Sequence, residues 1–505
     1  MYVRRKKNRS GSISVQVIDK SSGTYKVVHS LGSSFDISVV KTMEQEAYKW
    51  IKDRFGQLEF NFGGAAKTPV EEVLSNIEQI NVCGTEKLLG KIFNEIGFDA
   101  IPDILFRHLV LFRIIHPASK LKTTSYLSRH YSDFQDVRQV YYYMDKLHVR
   151  QQSKIQDISY HHTLQLLGGK ISIMFYDVTT LYFEAEAEDE LRKRGFSKDG
   201  RHAQPQIVLG LLVSVGGYPL SYDIFEGNKF EGYTMLPVIE SFKEKYRIER
   251  PVIIADSGLL SDDNISELIE KGCEFILGAR IKNETKEIKD SILALNLKNG
   301  ESAVLTKGKN RLIVGYSEAR AKKDRFNRER GLKKLEKQIQ SNKLTKSNIN
   351  NRGYNKYLRI EGDVKISIDM EKFEQDACWD GLKGYLTNSS LSKEAIIDNY
   401  RELWNIEKAF RITKHDLQIR PIYHRAERRI EAHICISFVA YKVYKELERQ
   451  LKAKGSRWSV EKAIEIAETI YSIKLRNPAT GGYVEHSLLL TDEQRELMTL
   501  FDLSL

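Results

Sequence analysis

The sequence predicts an α/β protein built on a mixed β-sheet that helices cover. Two observations predict this class. Nearly continuous apolar runs at 170–176, 206–215 and 251–255 are typical of strands buried on both faces. Helical patterns at 231–244 and 262–271 separate the later strands, and such alternation is typical of a sheet with helices packed on it.

The chain carries a net positive charge. Its 505 residues contain 79 Lys and Arg against 68 Asp and Glu, which gives a formal charge of +11 and a pI near 9.1. Such an excess favours a polyanionic partner, and nucleic acid is the first class to consider. With 41% hydrophobic and 29% charged residues, the composition is that of a folded protein. The length indicates about two to four domains.

The cysteines and the apolar runs exclude several classes of protein. Cys83, Cys273, Cys378 and Cys435 are scattered without a C-x-x-C pair, so we expect neither a zinc site built from cysteine pairs nor a disulfide framework. The apolar runs are too short to cross a bilayer, and no apolar segment follows the charged N-terminus as a signal peptide requires. We therefore expect a soluble cytoplasmic protein.

The N-terminal third of the chain is predicted as two segments. Residues 1–35 contain a β hairpin preceded by a basic arm, with Gly23 in the turn. Residues 36–167 carry a series of helical patterns, and basic residues on their outer faces indicate a DNA-binding region. A plain helical bundle explains the same patterns, because no spacing in this segment is specific to a helix-turn-helix.

Two aspartates mark the ends of buried strands in residues 168–280, the first part of the predicted core. Asp177 follows directly on the first strand run, and Asp256 follows on the run that ends at residue 255. In sheets of this class, catalytic groups collect at the carboxyl ends of the strands. A single Asp at such a position is more often a turn residue or a cap.

Residues 281–390 interrupt the core. Strand-like patterns indicate a β-rich insertion, and the stretch 320–356, with Lys343 and Lys346 near its end, is highly basic. We interpret this stretch as an exposed basic flap. A charge run is often only a solvated surface, but the one-sided excess makes contact with phosphates at least as good an explanation.

A helical stripe in residues 391–455, the second part of the core, combines apolar and charged positions. Ser392 is a suitable N-cap, and the helix is expected to stop by Pro421. Steps of three and four residues place the following side chains on one helix face: Tyr400, Leu403, Glu407, Phe410, Lys414 and Leu417. The apolar members predict a buried face, so Glu407 and Lys414 need partners from elsewhere. Residues 456–505 form a C-terminal region.

Asp177, Asp256 and Glu407 together are candidate catalytic residues. Three converging carboxylates repel one another unless cations lie between them, and oxygen ligands of this kind suit Mg²⁺, with Mn²⁺ as a substitute. Two such ions would activate a water or 3′-hydroxyl and stabilise the leaving oxygen in phosphoryl transfer. Lys414 and the hydroxyl of Tyr400 would then meet a phosphate of the substrate. This chemistry requires nucleic acid, the partner that the net charge favours.

These motifs resemble those of bacterial insertion-sequence DDE transposases of the cut-and-paste group, which carry a β insertion before the catalytic Glu. Asp177-Val-Thr-Thr and Ala-Asp256-Ser-Gly match the first and second acids, while Tyr400, Glu407 and Lys414 match the Tyr-Arg-Glu-Lys signature. The resemblance covers about residues 165–450. It implies an RNase H-like fold of the retroviral-integrase type, with the three acids binding the catalytic metal ions and with Tyr400 and Lys414 contacting DNA.

The activity implied by the resemblance is cleavage at the terminal inverted repeats of a mobile element and transfer of the 3′ ends to target DNA. The implied partners are double-stranded DNA and a second copy of the chain, because pairing two DNA ends requires at least a dimer. A bacterial transposase would associate with the nucleoid when bound to DNA. Leu403 stands where the signature has its arginine, and Arg411 is our candidate for that phosphate contact.

Two other functions are compatible with the same residues. An RNase H-like nuclease would hydrolyse DNA without joining strands. A catalytically silent relative would bind DNA through the same surface. The complete set of three acids argues against the silent relative, which has no reason to keep all of them.

Overall fold

The computed structural model of the chain describes residues 1–21, 23–55, 69–131, 136–197, 200–259, 261–341, 344, 350, 353–361, 365–477 and 480–503. The chain divides into two compact units, Met1–Ile77 and Glu78–Leu505. Both parts of the predicted core and the insertion between them belong to the larger unit.

The N-terminal unit is a three-stranded antiparallel sheet covered by a helix. Its elements are β1 (Tyr2–Lys7), β2 (Ile13–Asp19), β3 (Lys26–Ser34), α1 (Ile37–Phe55) and the short α2 (Pro69–Ser75). Val15 and Val17 alternate along β2 and are buried with Val40 of α1. The expected basic arm is strand β1, where Arg5 forms an ion pair with Glu44. The predicted boundary between residues 35 and 36 therefore falls inside this unit, because α1 packs on the sheet.

Helices dominate the first part of the larger unit, as predicted. They are α3 (Gly84–Ile96), α4 (Ile104–Ile115), α5 (Lys120–His130), α6 (Val137–Arg150) and α7 (Gln152–Leu166). The side chains of Asp103, Ser119 and Asp136 accept hydrogen bonds from first-turn amides, which fixes where α4, α5 and α6 begin. Strand β4 (Ile77–Val82), which precedes these helices, pairs with a C-terminal hairpin.

The central sheet has eight strands in the order β10–β11–β14–β9–β8–β5–β6–β7. Its core strands are β5 (Ile173–Tyr182), β6 (Gln206–Ser214), β7 (Pro219–Glu226), β8 (Val252–Ala255) and β9 (Glu274–Ala279). β5, β6 and β7 pair antiparallel in succession, while β8 and β9 run parallel to β5 on its other side. This order and these directions are those of an RNase H-like sheet, so the predicted fold class is confirmed.

Side-chain alternation along β5 divides the core into two layers. Met174 and Tyr176 pack with the helices that connect the parallel strands, α8 (Met235–Tyr246) and α9 (Asp262–Glu270). Phe175 and Leu181 belong to the core on the opposite face, which includes residues of α14 (Trp404–Arg411) and α15 (Glu427–Ala453). Helices therefore cover both faces, which explains why β5 and β8 read as continuous apolar runs.

The insertion is partly an extension of the central sheet. Its elements are α10 (Lys286–Ala294), β10 (Ser302–Lys307), β11 (Asn310–Tyr316), α11 (Glu318–Gln340), β12 (Leu358–Glu361), β13 (Lys365–Ile368), α12 (Met370–Gln375) and β14 (Leu382–Thr387). β14 pairs with β9, and β11 and β10 follow outward, whereas β12 and β13 pair with each other. The stretch predicted as a basic flap is largely helix α11, while Lys343 and Lys346 lie outside the described residues.

The helix predicted from Ser392 is interrupted. Ser392 caps α13 (Lys393–Arg401), as expected, by accepting a hydrogen bond from the Ala395 amide at 3.1 Å. The chain then tightens, because the Leu403 amide donates to the Tyr400 carbonyl at 3.1 Å, before α14 begins. A π-helical turn at Ile412–Asp416 follows α14.

The C-terminal part of the chain packs around α15, which is buried over most of its length. The remaining elements are α16 (Val460–Glu468), β15 (Tyr471–Arg476), β16 (Tyr483–Leu488) and α17 (Asp492–Leu500). Within the described ranges, we find no helix with the length and apolar character needed to cross a membrane.

Candidate active site

Asp177 lies within strand β5 and not at its end, which corrects the prediction. The strand continues to Tyr182 because the Val-Thr-Thr-Leu-Tyr segment favours β structure and pairs with β6. The pairing with β8, however, ends one residue before Asp177. The side chain of Asp177 is half-buried, and its Oδ1 accepts a hydrogen bond from the Val178 amide at 2.7 Å.

Asp256 follows the last residue of β8, as predicted, and its side chain is exposed. Tyr176 and Ala255 are register partners on the parallel strands β5 and β8. Asp177 and Asp256 each come directly after this pair, and paired strands are usually spaced by about 4.8 Å. The structure thus brings the first two predicted acids to neighbouring positions.

Tyr400 is buried and connects α13 to the second acid. Its hydroxyl donates a hydrogen bond to Oδ1 of Asp256 at 3.2 Å. Its ring packs edge-on against Tyr385 of β14, with 4.9 Å between the ring centroids. Burial raises the pKa of the Tyr400 phenol, and the charge of Asp256 raises it further, so this group remains a hydrogen-bond donor at neutral pH.

A glycine of β9 makes this contact possible. The Tyr400 hydroxyl lies 2.5 Å from the point where a Cβ would stand at position 278, and the Ser257 amide lies 3.2 Å from it. Gly278 is opposite Tyr385 in the pairing of β9 with β14. A side chain at this position would occupy the space that the Tyr400 hydroxyl needs to reach Asp256.

Lys383 is a further cation at this site that our interpretation of the sequence missed. It lies on β14, with its ammonium nitrogen 4.4 Å from the centroid of the Tyr400 ring. Burial lowers the pKa of Lys383 and Arg320 lowers it further, whereas the carboxylates of Asp256 and Glu407 act in the opposite direction. Lys383 therefore interacts electrostatically with both Asp256 and Glu407.

Glu407 lies on α14, and its side chain is exposed. The expectation that its charge is embedded in a buried face is wrong, although Tyr400, Leu403, Phe410 and Leu417 are all buried as predicted. The tightened turn before α14 separates the two helices, so the six stripe residues do not lie on one continuous α-helix. The charge of Glu407 acts on both Tyr400 and Lys383, as does that of Asp256.

The remaining predicted contacts occupy different surroundings. Lys414 lies in the π-helical turn and is half-buried. Arg411 is exposed near Asp416: burial raises the pKa of Asp416, and the positive charge of Arg411 opposes that rise. Leu403 is a core residue with 7% of its surface exposed. Hydrophobic burial therefore accounts for the leucine at the signature arginine's position.

A cavity of about 900 Å³ opens beside Asp256, Tyr400 and Lys383. The insertion supplies much of its wall, including Arg320 and Arg328 of α11. The other cations that line it are Arg280, Lys282 and Lys356. Acids in the wall are engaged: both Lys282 and Lys356 contact Asp376 at 2.6 Å, and Arg328 pairs with Asp380. A polyanion approaching Asp256 would meet a surface with excess positive charge.

The donor chemistry of the three acids suits a divalent cation, since all three offer carboxylate oxygens. In the described part of the chain, no three acidic, histidine or cysteine side chains are close enough to hold one metal ion together. Mg²⁺ is usually held by one or two carboxylates, with water and substrate phosphates completing its shell. Asp177 and Asp256 at adjacent strands, with the charges of Asp256 and Glu407 both acting on Lys383, fit that mode of binding.

Comparison with known proteins identifies one family. The family model described as "Transposase DDE domain" matches residues 168–442, more than half of the chain. The comparison with curated proteins found no match.

Among solved structures, a piggyBac transposase synaptic complex with hairpin DNA is 11% identical, with a TM-score of 0.38 over 79% of this chain and 77% of that one. A Mos1 transposase paired-end complex with the left transposon end is 11% identical, with a TM-score of 0.16 over 47% of this chain and 66% of that one. A Mos1 mariner paired-end complex with Mn is 12% identical, with a TM-score of 0.14 over 47% of this chain and 67% of that one.

Proposed function

The chain belongs to the transposase DDE domain family, a family of DNA-cleaving and DNA-joining enzymes, and we propose that Asp177, Asp256 and Glu407 are its catalytic acids. The observation that carries the assignment is the contact of Tyr400 with Asp256 beside Lys383, where Glu407 acts on the same two side chains. The backbone adjacency of Asp177 and Asp256 supports the first member of the set.

The family uses divalent metal ions, and in this chain the three acids would hold two Mg²⁺ ions, or Mn²⁺ in their place. When bound, the ions would supply a deprotonated water or 3′-hydroxyl and stabilise the leaving oxygen. The carboxylates contribute the hard oxygen ligands that such ions prefer. Tyr400 contributes by orienting the carboxylate of Asp256 through its hydrogen bond.

The reaction is phosphoryl transfer at a DNA phosphodiester. In cleavage, a water oxygen bonds to phosphorus, the bond to the 3′-oxygen breaks, and a free 3′-hydroxyl remains. In strand transfer, the oxygen of that 3′-hydroxyl loses its proton and bonds to a target phosphorus, the target bond from phosphorus to the 3′-oxygen breaks, and the leaving oxygen takes up a proton to give a free 3′-hydroxyl on the target strand. Lys383 contributes a positive charge for the phosphate, since its ammonium lies over Tyr400 beside Asp256.

The DNA contacts extend beyond the acids. Tyr400 and Lys414 would approach the DNA near the cleaved bond, as the family signature implies. Arg411, which does not line the cavity and lies near Asp416, would contact the DNA backbone outside the immediate site. The cationic wall of the cavity, with Arg320 and Arg328, would bind the backbone as it passes the insertion.

The proposed substrates are the inverted-repeat ends of the element that encodes this chain, followed by target DNA. Because two ends must be brought together before joining, the DNA-bound form is proposed to be a homodimer. Family membership favours this transposase over a nuclease that hydrolyses without joining strands, and over a silent DNA-binding relative.

A strand-transfer assay tests the proposal. The protein would be incubated with Mg²⁺, a target plasmid and labelled duplexes that carry the sequences flanking its coding region. We expect 3′ nicks at the element boundary and labelled products joined to the plasmid. Cleavage without joined products would favour the nuclease, and DNA binding without any cleavage would favour the silent relative.

A further inference from the structure

A second cavity, of about 220 Å³, lies apart from the predicted acids. It is enclosed by the end of α4, the start of α5, one residue each of α6 and α15, and the chain segment that follows the π-helical turn. Its interior is lined by Arg113, Lys120 and His433, which are 6%, 4% and 6% exposed. Tyr423, which is 72% exposed, also lines it and marks its opening to solvent.

Arg420 also lines this cavity, but the two buried cations, Arg113 and Lys120, have few interactions within the protein. The Nε atom of Arg113 is buried without a hydrogen-bond partner, and its Nη2 atom lies 3.4 Å from Nδ1 of His433. Within the described residues, the ammonium of Lys120 makes no hydrogen bond or ion pair. An unpaired buried charge is unfavourable, so two of them side by side require an explanation.

Among the described residues, the main causes of the pKa shifts of Arg113, Lys120 and His424 include no acid. Burial lowers the pKa of Arg113 to about 10, and burial together with the charge of Arg113 lowers the pKa of Lys120. Burial, Lys120 and Arg113 also lower the pKa of His424, which lines the same cavity, to about 4. Asp145, an acid near this region, is engaged by Arg428 and Arg429 at 2.9 and 2.7 Å.

The start of α5 adds to the positive character of the cavity. Ser119 caps this helix by accepting a hydrogen bond from the Lys122 amide, and both Ser119 and Lys120 line the cavity. A helix N-terminus carries a partial positive charge and attracts oxyanions. The helix end and the two buried cations therefore act on the same small volume.

We propose that this cavity, the Arg113–Lys120 pocket, binds a phosphate group of the DNA backbone. Arg113 offers a planar fork of donors and Lys120 a compact charge, a combination that suits tetrahedral oxyanions. The pocket is present in the protein alone, whereas the assignment of its ligand to DNA rests on the proposed function. A bound phosphate would provide the two buried cations with a negatively charged partner.

The pocket stands in a defined relation to the candidate active site. Ile422, beside the pocket residues Pro421 and Tyr423, forms a parallel β-bridge with Phe183, which follows the end of β5. From Asp177 to Phe183 the strand spans roughly 20 Å.

The first test of the pocket uses inorganic phosphate without DNA or metal. Thermal unfolding would be measured in sodium phosphate and in sodium chloride at matched ionic strength. We expect phosphate to raise the Tm of the wild type and of Lys122→Met, which removes an exposed charge from the same helix. Lys120→Met and Arg113→Met should lose this rise. Equal phosphate effects in all four proteins, or no rise in the wild type, would overturn the pocket.

The second test asks whether the phosphate belongs to DNA. Binding of the full chain to an end duplex would be measured at several salt concentrations. Lys120→Met should bind the duplex roughly tenfold more weakly than the wild type. It should also reduce the magnitude of the slope of log affinity against log salt by about 1. Both effects should exceed those of Lys122→Met. In a series of duplexes, each backbone phosphate in turn would be replaced by a neutral methylphosphonate. At one position the replacement should weaken binding by the wild type but leave binding by Lys120→Met unchanged.

The two tests separate the possible failures. If phosphate stabilises the wild type but Lys120→Met binds DNA with unchanged affinity and slope, the pocket holds a free phosphate and the DNA assignment is wrong. Loss of cleavage has no bearing on either measurement, because neither contains a divalent metal. Removing an uncompensated buried charge does not weaken folding as a rule, so Lys120→Met is expected to fold.

Discussion

The hydroxyl of Tyr400 donates a hydrogen bond to Oδ1 of Asp256 at 3.2 Å, joining α13 to the end of β8. Tyr400→Phe removes this bond and keeps the ring in its contact with Tyr385. We expect the rate of metal-dependent cleavage to fall roughly tenfold, because the Asp256 carboxylate loses the donor that orients it. The free energy of unfolding should fall by about 1 kcal/mol through loss of the hydrogen bond. Single-turnover cleavage and urea unfolding measure the two effects. Tyr385→Phe is the control, and equal rates in both variants would contradict the role of Tyr400.

Substitution of Gly278 tests the same contact from the opposite side. Gly278→Ala places a methyl group 2.5 Å from the Tyr400 hydroxyl, so we expect a loss of about 1–3 kcal/mol in stability together with reduced cleavage. Gly315→Ala is the control, since its nearest neighbours are 3.7 Å or more from the new atom. In a double-mutant cycle, Gly278→Ala should cost less when Tyr400 is already Phe. If the stability losses of Gly278→Ala and Tyr400→Phe are strictly additive, the space at Gly278 is not needed to accommodate the Tyr400 hydroxyl.

The three acids are tested by isosteric amides. Asp177→Asn, Asp256→Asn and Glu407→Gln should each reduce cleavage of end DNA to below about one hundredth of the wild-type rate. Because the amide keeps the shape and removes the charge that a metal ion needs, DNA binding should be retained in a mobility-shift assay. Asp263→Asn, an exposed acid at the start of α9, serves as control. A fully active variant would remove that residue from the proposed set.

Lys383 is expected to bind a DNA phosphate. Lys383→Met should weaken binding of end DNA about tenfold and lower the salt slope by about 1, whereas Lys383→Arg should retain most of the affinity. Since burial, the largest cause, lowers the pKa of Lys383, its contribution should be lost at a lower pH than for an ordinary lysine. Binding titrations between neutral and alkaline pH measure this loss. A salt slope unchanged by Lys383→Met would rule out a phosphate contact.

The stability of the fold should fall in mild acid because of buried histidines. Burial lowers the pKa of His162 to about 4, Lys442 lowers it as well, and Glu446 opposes them. The unfolded chain binds a proton near pH 6.5 and the folded chain only near pH 4, so stability is lost as the pH falls through this window. His162 contributes about 3 kcal/mol of this loss. Denaturant unfolding at several pH values should give a shallower dependence for His162→Gln, with the exposed neighbour His161→Gln as control.

Much of the core was predictable because local patterns determine it. The runs that became β5, β6 and β8 are apolar since both faces of the sheet are covered, and that coverage is visible in the sequence itself. Asp256 was correctly predicted at a strand end, because the β8 run stops abruptly before it. The length of β5 was not, because the segment after Asp177 is held by its antiparallel pairing with β6, and pairing partners are not local information.

Lys383 could not be found from the sequence for a similar reason. It lies in the insertion, far along the chain from Asp256, and reaches the site because β14 pairs with β9. The expected burial of Glu407 was also wrong. A turn of two residues separates α13 from α14 but leaves the apolar spacing nearly intact, so the sequence reads as one helix. Periodicity reports the spacing of buried residues and does not report whether the helix is continuous.

The pairing of β14 with β9 has a consequence for how this protein can be dissected. Excising residues 281–390 would remove β10, β11 and β14 and leave β9 as an unprotected sheet edge. Such an edge offers unsatisfied amide and carbonyl groups to other chains, so the truncated protein would tend to aggregate. We therefore expect the insertion to fold together with β9 and not as a detachable module.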